Sequence, residues 1–141
     1  MKKIFLITLA ILSLQLTSCS SDDDNIIEDP IIGVWKVNKV TIDGEIFDLG
    51  ECELNSTETF FANGVYAQNN LLTNGSGACL KDDFSARWKK LSDGVYAVGQ
   101  QIDLDAGEDF EQYNVQFNGN TIIISITNPI GNVLVTELEK K

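Results

Sequence analysis

From Gly33 onward, apolar and polar residues alternate in short runs, and glycine, asparagine and aspartate interrupt them. Ile122, Ile124 and Ile126 share one face of such a run, and so do Tyr113, Val115 and Phe117. Leu134 and Leu138 share a face in the last run. Successive strand side chains point to opposite sides, so this pattern marks sheets with one buried face. No stretch carries the apolar spacing of an amphipathic helix. Residues suited to a pleated surface (Val, Ile, Thr, Tyr, Phe) fill the runs. Eight strands are predicted, at about 33–42, 56–62, 65–70, 84–91, 95–103, 110–118, 121–127 and 132–139. In the first, the pattern changes phase between Val37 and Val40, which predicts a bulge near Asn38–Lys39.

Short links join these strands. Asn63-Gly64 and Asp93-Gly94 carry the signature of a type I′ hairpin, whose two central residues both need positive φ. Asn118-Gly119-Asn120, the Asn128–Asn132 stretch and Asp43-Gly44 mark further turns. Asn69 to Gly77 is polar and glycine-rich, and reads as a loop over one end of the fold. Consecutive antiparallel strands with short links make a meander, and eight of them lose their exposed edges by closing. The expected fold is therefore all-β, an eight-stranded antiparallel up-and-down barrel, with a two-sheet sandwich as the alternative. A barrel of eight holds side chains or one small ligand.

The N-terminus has a different character. Lys2 and Lys3 precede an apolar run from Ile4 to Leu16, which is too short to span a bilayer. Leu16-Thr17-Ser18-Cys19 follows, and the whole has the form of a secretory signal. With cysteine next after the cut, it resembles the lipobox of bacterial lipoproteins. That resemblance implies cleavage before Cys19 and acylation of its thiol and new amine, so that lipid ties the mature chain to a membrane. One acyl chain holds only marginally, whereas several on one residue hold firmly. Residues 1–18 are then signal, 19–30 a lipidated flexible tether, and 31–141 the barrel domain. Ser20-Ser21-Asp22-Asp23-Asp24 resembles the export tag of lipoproteins displayed outside the cell in one Gram-negative phylum, which implies an outer-membrane, surface-exposed protein; a solvated spacer facing the periplasm is the alternative.

Charge and cysteine content narrow the function further. Losing residues 1–18 removes two of ten basic residues and none of the 21 acidic ones, so the net charge moves from −11 to −13 over 123 residues. Phosphate backbones would repel such a chain, so nucleic acid is not an expected partner. Apart from Cys19 the cysteines are Cys52 and Cys79, in a compartment where disulfides persist, and they are expected to pair. A zinc site is the rival reading, but two cysteines without histidine give too few ligands. The chain has no histidine at all, which excludes Ser-His-Asp and Cys-His catalytic units. No cofactor is expected, and the chain is expected to be a monomer.

Gly33-Val34-Trp35 opens the first strand. Cys52, Ser56-Thr57-Glu58-Thr59-Phe60, Asn63-Gly64-Val65-Tyr66, Cys79 and Trp88 follow in order. This succession resembles the lipocalin-like domain of bacterial surface lipoproteins, from about Ile31 to Leu138. The resemblance implies an eight-stranded up-and-down barrel whose floor is closed by Trp35. Lipocalins commonly end with a helix and an arginine that packs over the floor tryptophan. Here the last strand holds no arginine and the sequence ends at Lys140-Lys141.

Trp35, Phe60, Tyr66 and Trp88 are expected to point inward, either as a ligand-lining surface or as plain core. Glu58 shares the inward face with Phe60. A buried carboxylate must be paired, placed at a wet barrel mouth, or used to hold a polar group of a ligand, and Arg87 and Lys90 are conceivable partners. Asp103, Asp105, Glu108 and Asp109 crowd one loop, but Asn114 stands where an EF-hand needs its closing acid, so a solvated loop is the reading and no metal is expected. The leading expectation is a binding module for a small, hydrophobic molecule. A filled barrel that contacts another envelope protein or a glycan is the alternative. Hydrolysis by Glu58 with a second carboxylate is a third reading that no spacing supports, so no enzyme is expected.

Overall fold

The computed structural model describes residues 28–100 and 110–141. The signal, Cys19 and most of the tether lie outside them, as do residues 101–109 with the acidic loop and the far end of the predicted fifth strand.

Nine strands run in chain order: β1 (Gly33–Ile42), β2 (Glu45–Phe47), β3 (Thr57–Phe60), β4 (Val65–Thr73), β5 (Cys79–Ser92), β6 (Val95–Gly99), β7 (Glu111–Asn118), β8 (Thr121–Thr127) and β9 (Val133–Lys140). A single 3₁₀ turn, η1 (Glu53–Asn55), precedes β3 and is the one helical element among the described residues. From β3 to β9 each strand pairs antiparallel with the next, and β1 pairs with both β3 and β9. That last pairing closes an eight-stranded barrel and excludes the sandwich. β2 is a short ninth strand outside the ring, hydrogen-bonded to β1 through Ile42↔Glu45 and Val40↔Phe47.

Three details differ from the sequence expectation. Asn63-Gly64 and Asp93-Gly94 both turn hairpins, but only their glycines take positive φ, so neither is type I′. The amide of Gly64 reaches back to the Phe61 carbonyl and that of Phe61 to Val65, a wider turn with glycine at its left-handed position. Positive φ at two successive central residues occurs instead at Asp43 and Gly44, between β1 and β2. The third difference is Asn69–Gly77: β4 and β5 continue as a ladder to Thr73↔Cys79, and only a tight turn at Asn74 remains. The Asn74 side chain builds that turn by accepting from the amides of Ser76 and Ala78. The bulge in β1 is present, with register against β9 slipping between Val37 and Lys39.

The start of the domain plugs one end of the barrel. Ile31 is fully buried, and its carbonyl accepts the indole N–H of Trp35 at 2.7 Å. Asp29, within the segment read as tether, accepts from the Ile31 amide and from the Tyr96 hydroxyl at 2.8 Å. Above this plug lie Trp35, Phe60, Tyr66, Tyr96, Ile122, Ile124 and Leu138, all buried. Lys140 stands where an arginine was missed: its Nζ lies 5.3 Å from the centre of the Trp35 ring, a cation–π contact.

Gly33 makes room for that lysine. A Cβ there would meet Lys140 Cε at 3.2 Å, and the φ of 143° disfavours any side chain. Gly33→Ala is expected to cost about 1–3 kcal/mol of stability, measured by urea unfolding. Because backbone strain carries most of that cost, adding Lys140→Ala should recover only a minor part. Full recovery would assign the cost to the lysine instead.

Candidate functional site

The bulge re-aims β1. Up to Val37 its inward residues follow the odd numbers; beyond the bulge Val40 and Ile42 face in, opposite Thr136 and Leu134 of β9. On its other edge β1 pairs with β3 only from Gly33 to Lys36, then with β2 from Val40. The upper half of β1 therefore parts from β3 and β4, and the chain between β2 and β3 crosses the gap. A cavity of about 290 Å³ lies in this wedge. Val37, Val40, Ile42, Phe47, Leu72 and Leu134 give it apolar walls, and Ser56, Glu58, Gln68, Asn70 and Thr136 give it polar groups.

Three fastenings hold the crossing segment that forms one wall. Cys52 and Cys79 form a disulfide, with Cα atoms 5.4 Å apart. The Glu53 carboxylate accepts from the Thr73 amide at 2.7 Å and from the Thr73 hydroxyl at 3.0 Å. These bonds hold its pKa below the ordinary carboxylate value. Ser56 Oγ accepts from the Leu71 amide at 2.9 Å. The wall is thus tied to the tip of the β4–β5 hairpin, whose length the sequence pattern did not disclose.

Glu58 marks the boundary between packed core and cavity. It lies opposite Trp35 on one side and Gln68 on the other. It is 7% exposed, and its Oε2 has no hydrogen-bond partner among the described residues. The nearby Tyr66 hydroxyl is equally buried and closes no well-aligned bond. Neither conceivable basic partner reaches it: Arg87 donates to the Asn63 carbonyl, and Lys90 pairs with Asp29 and Asp93. Burial raises the Glu58 pKa from 4.5 to about 7, opposed in part by the Tyr66 hydroxyl. Burial first, and the Glu58 charge second, push the Tyr66 and Tyr113 phenols up as well.

This shift has a defined sign. The folded state holds the Glu58 proton more tightly than the unfolded chain does. Stability is therefore expected to fall as pH rises from 4.5 to about 7 and then level off, by about 3 kcal/mol from this group. Glu58→Gln should be the more stable protein at pH 8 and lack that fall, as urea unfolding across the range would measure. Parallel pH profiles for the two proteins would refute the assignment.

Of the residues expected to point inward, Trp35, Phe60 and Tyr66 are fully buried, and Trp88 packs half-buried against them. Their rings interlock: Phe60 lies 5.0 Å from Tyr66 and 5.8 Å from Trp88, centre to centre. Trp88 donates its indole N–H to the Phe61 carbonyl at 2.9 Å. These four form core, and Glu58 is the one of the five that lines the cavity. Val37, Val40 and Ile42 were not expected from the sequence to line a site, although the phase change between Val37 and Val40 is the signal that places them inward. Among the described residues no cluster of three potential metal ligands occurs.

The sequence model of one family, the lipocalin-like domain, matches residues 31–138. This chain belongs to the lipocalin-like domain family. The match runs from the Ile31 plug to Leu138 in β9 and includes all the residues that line the cavity. No curated protein matches the chain. As a lipocalin-like barrel it has an architecture suited in general to holding a small hydrophobic ligand.

Proposed function

We propose that this chain is a non-enzymatic binding protein, anchored by lipid on Cys19, that holds a small apolar molecule in the cavity between β1 and β4. The observation that carries the reading is the cavity itself: apolar walls, a few polar groups, and a solvent-exposed rim of Ile42, Phe47, Leu72 and Leu134. Family membership supports it. The lipobox-like Leu16–Cys19 and the acidic tether support an outer-membrane position with the domain displayed outside the cell.

The test is native mass spectrometry of the mature protein, purified gently from its own source. The expected result is a reproducible excess over the lipidated, disulfide-closed chain, released by organic solvent and smaller in a Leu134→Trp variant that fills the mouth. A bare mass, together with failure to take up added 1-octanol saturably, would contradict the reading. Cys19→Ser should abolish incorporation of labelled fatty acid; retained label would refute the anchor.

A further inference from the structure

The cavity carries two carboxylates, Glu53 and Glu58, and no basic side chain among the described residues lines it. Glu53 is already bonded to Thr73, whereas Glu58 Oε2 is buried and has no hydrogen-bond partner among the described residues. A buried acceptor in that state costs free energy that a ligand can recover by donating to it. Gln68 and Asn70 also line the wall and can serve a ligand as donors or acceptors, so they do not choose its charge. The carboxylates do choose. They disfavour an anionic head and favour one that donates.

Building on the small-molecule reading above, we infer that the ligand is an amphiphile that enters tail outward, with an amine or hydroxyl head donating to the Glu58 carboxyl and an apolar body against Val37, Val40 and Leu134. The volume limits its size. At the share of liquid volume held by one water, 290 Å³ accommodates about ten heavy atoms. A carboxylic acid of the same length is excluded from this orientation while Glu58 is ionised, because two like charges would share one desolvated site.

The test uses three probes of matched length, octylamine, 1-octanol and octanoate, titrated calorimetrically into the mature protein at pH 8. Salt at about 150 mM screens attraction of the amine to the acidic surface. The expected order is octylamine, then 1-octanol, then octanoate, with octylamine about tenfold tighter than 1-octanol, since charge-assisted hydrogen bonds exceed neutral ones by about that factor, and octanoate weakest because its charge repels that of Glu58. Glu58→Gln should bring octylamine and 1-octanol to within about threefold of each other, and Leu134→Trp should weaken both. Equal affinities for all three probes in the wild type, or an amine preference untouched by Glu58→Gln, would overturn the head-group assignment while leaving the carrier reading intact. Absence of binding by any probe would overturn both.

Discussion

Replacing Trp35 with alanine is expected to destabilise the protein by about 3–5 kcal/mol, the range for truncating a buried tryptophan. Trp35 is 1% exposed and sits where three features meet. Its indole N–H is the hydrogen-bond partner of the Ile31 carbonyl, which the plug would otherwise bury unpaired. Its ring carries Lys140 from the last strand. Its backbone pairs with both Glu58 of β3 and Lys140 of β9, at the seam that closes the ring. Alanine would leave a cavity beneath the floor and an unsatisfied carbonyl, and a packed interior relaxes only partly into such space. Trp35→Phe separates the terms: it keeps most of the apolar area and loses the N–H, so it should cost about 1–3 kcal/mol. Urea unfolding measures both. A loss below about 1 kcal/mol for the alanine variant would show that the plug and seam hold without the indole.

Removing the disulfide is expected to cost about 3–4 kcal/mol and to weaken ligand uptake as well. Cys52 and Cys79 are separated by 27 residues, and a closed loop of that length accounts for such a loss through the entropy regained by the unfolded chain. The paired Cys52→Ser, Cys79→Ser variant avoids leaving one free thiol. Its second effect is local. The bridge fastens the segment before β3 to the β4–β5 hairpin, and that segment walls the cavity. The Glu53–Thr73 and Ser56–Leu71 bonds remain, so the wall should loosen and not detach. Unfolding should therefore shift while the affinity for 1-octanol drops several-fold. An unchanged affinity would mean that the cavity wall is held by the other two fastenings alone.

The ring of strands was legible because most of it has one wet face and one dry face. Ile122, Ile124 and Ile126 announce β8 by alternation, and the phase change from Val37 to Val40 announces the bulge. The upper β4–β5 hairpin was not legible for the same physical reason. Asn69, Asn70, Asp82 and Asp83 pair across a ladder whose β5 side is exposed and whose β4 side is half-buried but polar, so no apolar period betrays it. A three-residue strand such as β2 is too short to show a period at all. At the site, ring size drew attention to Trp35, Phe60 and Tyr66. Close packing uses those rings to fill the lower barrel, and the space left over lies higher, beside smaller side chains. That space exists because β1 leaves β3 after Lys36, and where two strands part is a matter of register across the barrel, which neighbouring residues in sequence do not encode.

The most direct test of a ligand-holding cavity is a methyl-resolved NMR titration of the protein with 1-octanol. The methyl signals of Val37, Val40, Ile42 and Leu134 are expected to move together and saturate, while those of Ile122, packed in the lower core, stay in place. Shifts absent from the first set, or confined to exposed residues such as Ile130, would contradict the account and leave the barrel a filled scaffold.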